Sequence, residues 1–277
     1  MAYKLGNLGA DLLEIEIELM EVASHAAEEA GRRLLALFGK GKLSVRRKYD
    51  YPGSIVTNAD KESERLILAR IKRSRFRGMV KSEESGTHDF GSHNITWAVD
   101  PLDGTLNFAK RIPYFSVSIG VLVGGRTVAG AIYNPLLDEM FTAARMQGAY
   151  KNGKRIHVSN TTALRNASLI YEWWTPEPSI PDPLGFEKKL YHFTHSIRSP
   201  GSVALNLCSV AAGNFDGIVT VFRRSPIYET AAGCLIVQEA SGKVTDSDGG
   251  TWENFSRSIL AGGAGIHRRL LSLVQAN

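Results

Sequence analysis

Near the start of the chain, apolar residues return at helical intervals. Leu12, Ile15, Ile17, Leu19, Val22, Ala26, Leu34 and Leu37 predict one long helix over residues 11–38, ended by Gly39. The polar stretch 39–60 predicts a loop turning at Pro52-Gly53. Helical spacing resumes in "DKESERLILARIKRSRF", with Asp60 placed as its N-cap. A short strand around Met79-Val80, a loop carrying Glu83 and Glu84, and the strand "NITWAVD" follow. Residues 114–159 then alternate and are punctuated by Gly124-Gly125, Asn134-Pro135 and Asn152-Gly153, the pattern of an antiparallel meander.

Beyond residue 160 the pattern changes. "SLIYEWW" reads as a strand, "GFEKKLYHFTHS" and "SVALNLCSVAAGNF" as helices, and "DGIVTVF" as a strand. "ETAAGCLIVQEASG" is a helix stopped by Gly242, "SRSILAGG" a strand and "GIHRRLLSLVQAN" a closing helix. Helices, then an antiparallel sheet, then alternating strands and helices imply layered α+β and α/β halves, residues 1–150 and 151–277, sharing one compact body.

The composition fits that body. The 277 residues, 43% hydrophobic and 22% charged, suffice for a substantial core. No apolar run reaches the roughly 18 residues of a membrane span, and the acidic, amphipathic start does not resemble a secretory leader. Cys208 and Cys234 sit in small, apolar helical contexts and read as core thiols of a reducing compartment, so a cytoplasmic location is expected. The net charge of +5 gathers in "VRRKYD" and "RIKRSRFRG". These runs are short and lack interleaved aromatics, so solvated faces are expected rather than a nucleic-acid surface.

One stretch asks for chemistry. "WAVDPLDGTLNF" sets Asp100 and Asp103 at the end of a buried strand, where two unpartnered carboxylates are costly. The segment is therefore either a solvated turn or half of a cation site. Pro101 fixes the backbone between the acids, and Gly104 permits a tight return before a short helix. Amides of Gly104 and Thr105 at that helix start would favour a phosphate oxygen. Carboxylates and phosphate coexist only with cations between them, and hard oxygen ligands suit Mg²⁺. Asp60, Glu83, Glu84 and Glu229 are further acids that could join; each alone is a weak signal, and a lone acid at a helix start is more often a cap. The spacing does not fit an EF-hand loop.

"WAVDPLDGTLNF" closely resembles the signature of the inositol monophosphatase family, and "SIVTNADKESE", "KSEESG", "RSPGSVALNLCSVAAGNFDG" and "ETAAGCLIVQEASGKVTD" resemble its other blocks in order. The similarity runs from about Ala26 to the C-terminus. It implies a layered αβαβα fold of sugar-phosphatase type and a homodimeric phosphomonoesterase using two or three Mg²⁺ ions per site. By the same resemblance, Glu83, Asp100 and the Leu102 carbonyl hold the first ion, and Asp100, Asp103 and Glu229 the second. Thr105 and Asp60 match the pair that positions and deprotonates the attacking water. The Gly104 and Thr105 amides match the phosphate cradle.

The chain departs from the pattern in three places. Tyr228-Glu229 replaces the family's Trp-Asp, which lengthens one ligand by a methylene. The strand after Asp216-Gly217 lacks the family's ring-binding glutamate: counting forward finds Thr220, counting back from Glu229 finds Phe222. Arg223 and Arg224 nearby are candidates for a second phosphate. Lys81-Ser82 replaces small residues before Glu83. The expected reaction is hydrolysis of a small phosphorylated polyol or sugar. Inositol monophosphate leads, fructose 1,6-bisphosphate follows, and a 3′-phosphoadenosine nucleotide is third. The competing reading is a weakly active or inactive member with a binding or regulatory role.

Overall fold

A computed structural model describes residues 2–40, 43–48, 55–173, 182–222, 227–252 and 256–276, with side chains from residue 13 onward. Helix α1 (Ala2–Leu37) starts nine residues before the helix predicted from periodicity, and Gly39 leaves it at a φ of 72°. The polar segment after it is more than a loop. Strands β1 (Val45–Arg47) and β2 (Ile55–Thr57) pair antiparallel there, and the Pro52-Gly53 turn lies outside the described residues. Helix α2 (Asn58–Arg73) is capped by Thr57 rather than Asp60. Asp60, its third residue, returns the favour: its side chain accepts from the Thr57 amide, which completes a capping box.

The first half centres on an eight-stranded sheet. Its strands are β3 (Gly78–Ser82), β4 (Gly86–Asp89), β5 (Ser92–Asp103), β6 (Ser116–Val123), β7 (Arg126–Asn134), β8 (Glu139–Ala144), β9 (Gly148–Lys151) and β10 (Lys154–Ile156), in the order β10-β9-β8-β7-β6-β5-β3-β4. Only β3 and β5 run parallel; a short helix α3 (Thr105–Lys110) separates β5 from β6. Leu19, Ala23, Ala27 and Ala30 of α1 and Ile67 and Ile71 of α2 cover one face, packing on Val80, Trp97, Val99, Ile119 and Val121.

The second sheet contains β11 (Ser168–Trp173), β12 (Ser196–Arg198), β13 (Gly217–Val221), β14 (Lys243–Thr245) and β15 (Ser258–Gly262), ordered β12-β11-β13-β15-β14. Helices α4 (Pro183–Phe193), α5 (Val203–Ala211), α6 (Ile227–Glu239) and α7 (Ala264–Gln275) flank it. Strand alternation assigns the layers. Ile170 and Ile218 turn toward α5 and α6, whose other side meets Ile132, Phe141 and Ala143 of the first sheet. Leu169, Tyr171, Val219 and Val221 turn toward α4 and α7. The stack is αβαβα, as the resemblance implies. Each fully buried Val, Ile or Leu in it contributes roughly 1.5–3 kcal/mol of burial free energy.

The middle layer sits unusually close to the first sheet. Gly120 of β6 and Gly130 of β7 are cross-strand partners beneath α6. A Cβ on Gly120 would stand 2.9 Å from Ala231 Cβ, and one on Gly130 2.9 Å from Ala232 Cα. These two glycines let the start of α6 descend onto β6 and β7, beside the strand that carries Asp100. Cys208 on α5 and Cys234 on α6 are free and buried. The basic run in α2 and beyond is partly neutralised, since Arg70 pairs with Glu29 and Arg75 with Glu18, both on α1. Among the described residues, no helix is long and apolar enough to cross a membrane.

Candidate active site

Three segments far apart in sequence converge where β5 ends. Glu83 follows β3, and its amide donates to Val99 O at 3.1 Å, so the parallel β3–β5 pairing delivers it beside Asp100. Asp100 lies opposite Ser118 of β6, whose hydroxyl donates to Tyr228 O at 3.1 Å and ties down the first turn of α6. Glu229 arrives on that turn. One carboxylate oxygen from each of Glu83, Asp100 and Glu229 lies within 4.8 Å of the others.

The electrostatics of this group are those of a cation site. Asp100 is buried, and its pKa is pushed well above the usual carboxylate range by burial and then by Glu83, Asp103 and Glu229. Glu229 is pushed up as well, by crowding against protein and by Glu83 and Asp103. The residues present fit Mg²⁺: hard oxygen donors, gathered around the buried Asp100 and mutually repulsive. Lys48 is the cation that the chain itself supplies, its Nζ 2.9 Å from both Glu83 Oε1 and Glu84 Oε1. Burial nevertheless carries Glu84 up to about 7, against the opposing effect of Lys48.

Between Asp100 and Asp103 the register of β5 against β6 shifts, and Leu102 N donates to Asp100 Oδ1 at 2.9 Å. The shift leaves the Leu102 carbonyl 2.9 Å from Thr105 Oγ1. Asp103 is held differently from Asp100. Its Oδ2 accepts from Ser202 Oγ, from Ala204 N at 2.9 Å and from Ser116 Oγ at 3.4 Å. Asp103 therefore stands beside the three-carboxylate group with one oxygen committed to the start of α5. Burial raises its pKa, and the bonds from Ser202 and Ala204 oppose that rise.

Gly104 leads into α3 with a φ of 88°, and a Cβ there would meet Tyr114 O at 2.9 Å. Thr105, the first residue of α3, faces Asp60 Oδ1 at 3.0 Å. The other oxygen of Asp60 accepts from the Thr57 amide at 2.8 Å and the Thr57 hydroxyl at 2.6 Å. Burial pushes Asp60 up to about 6, and its bonds from Thr57 and Thr105 restrain the shift.

Sequence reasoning missed one acid, Glu172 of β11, which is buried and accepts from Gly201 N at 2.6 Å. Its only signal was an acidic residue inside an otherwise apolar strand. Thr220 is fully buried as the cross-strand partner of Glu172, and Phe222 packs in the core between the sheets. Arg223 and Arg224 lie outside the described residues.

Comparison with known proteins decides the family. The profile of the inositol monophosphatase family matches residues 16–277. The chain belongs to the inositol monophosphatase family. Among its curated relatives, "Nus factor SuhB" of Pasteurella multocida is 35% identical, over 93% of this chain and 96% of that one. "Inositol monophosphatase 2" of Solanum lycopersicum is 36% identical, over 88% and 93%. The crystal structure of the extragenic suppressor protein suhB from Bartonella henselae superposes with a TM-score of 0.86 at 35% identity, covering 93% of this chain and 98% of that one. Both curated relatives share nearly the whole chain, so family membership extends across both sheets.

Proposed function

We propose that this chain is a Mg²⁺-dependent phosphomonoesterase acting on a small phosphorylated polyol or sugar, with inositol monophosphate the leading substrate. The observation that carries the reading is the meeting of Glu83, Asp100 and Glu229 within 4.8 Å, alongside the Asp60–Thr105 pair. Glu83, Asp100, Asp103, Glu229 and the Leu102 carbonyl would hold the ions, and bound Mg²⁺ would lower the pKa of water and neutralise the ester's charge.

The remaining work falls to the chain. The Thr105 hydroxyl donates a hydrogen bond to Asp60, leaving its oxygen lone pairs to accept one from a water and orient it. Asp60, poised near 6 and fixed by Thr57, then supplies the negative end of that relay. The Gly104 and Thr105 amides at the start of α3 receive the phosphate. The direct displacement by water requires no covalent phosphoenzyme. A cytoplasmic homodimer completes the reading.

The test is phosphate release from a panel of inositol monophosphate, fructose 1,6-bisphosphate and a 3′-phosphoadenosine nucleotide, with and without Mg²⁺. Release only with Mg²⁺ and fastest from inositol monophosphate is the expected outcome; no Mg²⁺-dependent release from any of them would overturn it. Preference for the bisphosphate would move the assignment toward the Arg223-Arg224 segment. A regulatory binding role is the second reading, favoured by a relative that is named a Nus factor. It would prevail if a folded, Mg²⁺-binding chain released no phosphate.

A further inference from the structure

The buried face of α2 changes character along its length. Ile67 and Ile71 pack in the first core, but one to two turns earlier the same face carries Asp60, Ser63 and Glu64, all buried. Each of these polar side chains holds a different segment of the site. Asp60 faces Thr105, and Ser63 Oγ donates to Pro101 O at 2.6 Å, between Asp100 and Leu102. Glu64 meets the turn that carries Glu83 and Glu84. Its Oε1 accepts from the Ser82 hydroxyl ahead of that pair, and from the Ser85 amide at 3.1 Å and the Ser85 hydroxyl at 2.7 Å behind it. The Ser85 oxygen can itself accept from His88 Nε2, 2.5 Å away, so its proton remains for Glu64.

We propose that Glu64 is a positioning residue of the cation site, which clamps both ends of the 82–85 turn and so fixes Glu83 against Asp100. The inference rests on the phosphatase reading for the identity of the ion. A buried carboxylate is costly without donors, and here the donors on Oε1 come from the two residues that bracket Glu83 and Glu84. The turn needs such an anchor. Glu83 and Asp100 bring like charges together, which favours their moving apart. Pairing of Ser82 with Gly86 closes the turn on itself, and the β3–β5 ladder ends at Ser82 and the Glu83 amide. Lys48 holds the carboxylate tips of Glu83 and Glu84, whereas Glu64 ties the residues on either side of them to α2. Because Ser63 and Glu64 are consecutive on one helix, the turn and the segment from Asp100 to Leu102 are referred to the same rigid frame. Partners behind a metal's ligands commonly govern affinity by about 10- to 100-fold.

Two variants keep every charge and release the clamp. Glu64→Asp draws the carboxylate back from its donors by one methylene, and Ser82→Ala combined with Ser85→Ala removes the two hydroxyls. Ile67→Val, further along the same buried face, loosens the core packing of α2 and is the control. Full-length wild type and variants, freed of metal, are to be melted, then titrated with Mg²⁺ by calorimetry well below each Tm. Both clamp variants are expected to bind Mg²⁺ about tenfold more weakly, whereas Ile67→Val lowers Tm and keeps wild-type affinity. Wild-type Mg²⁺ affinity in either folded clamp variant would overturn the proposal. An equal loss in Ile67→Val would overturn it too, by showing that affinity follows the stability of α2 alone. If Glu64→Asp does not fold, the paired serine variant decides. Wild type that binds Mg²⁺ yet releases no phosphate from any ester defeats the enzymatic reading alone and leaves this comparison standing. Wild type that fails to bind Mg²⁺ defeats both.

Discussion

Asp100, Asp103 and Glu229 are held by different partners, and substitutions separate their roles. Asp100 is buried at the centre of the carboxylate group, so Asp100→Asn should lower kcat/KM at least a hundredfold, and by more than Asp103→Asn, whose Oδ2 is already engaged by Ser202 and Ala204. Steady-state phosphate release measures both. Glu229 already reaches Glu83 and Asp100 across a backbone held by Ser118. Glu229→Asp therefore withdraws the carboxylate by about 1.5 Å and should slow the reaction roughly ten- to a hundredfold; a faster variant would show that the longer side chain is strained. At Thr105, whose hydroxyl faces Asp60, Ala should cost about a hundredfold or more, whereas Ser should retain most of the rate. The sequence made these residues legible because their motifs are local. The resemblance already set Asp100 on both ions and Asp103 on one; it did not show what holds Asp103, because Ser202 and Ala204 lie about a hundred positions further along the chain.

At the level of elements, the site depends on how closely α6 approaches β6 and β7. Gly120→Ala would place a methyl 2.9 Å from Ala231 Cβ, and α6 would have to lift. We expect a loss of about 1–3 kcal/mol in stability by denaturant unfolding, with weaker Mg²⁺ binding because Glu229 moves with the helix. A variant that is destabilised yet binds Mg²⁺ normally would uncouple the two. Most long elements could be read from the sequence: α2 and α7 each bury one face, and the meander from β6 to β10, whose central strands are buried on both faces, is marked off by its turn residues. The misses share a cause. Strands β1, β2, β12 and β14 have three residues each, too few for alternation to register, and they exist because a neighbouring strand offers a ladder. The early start of α1 likewise lies where the apolar spacing is weakest.

Across the whole molecule, the acidic group couples stability to pH and, on the proposed function, to metal. Asp60 at about 6 and Glu84 at about 7 bind protons more tightly in the folded chain than unfolded carboxylates near 4 do. Their contribution to the metal-free fold is fully present below pH ~4 and is lost as pH rises through 6 and 7. Mg²⁺ favours the ionised cluster, so its stabilisation of the fold should be larger at pH 8 than at pH 5.5 when Tm is measured by calorimetry. An equal shift at both values would count against a site in this group. The ammonium of Lys48, 2.9 Å from two of these glutamates, gives the group a resident of its own. With that ammonium in place Glu83 and Glu84 are partnered without any metal, and on the proposed reading an arriving magnesium ion would have to share them with a tethered cation.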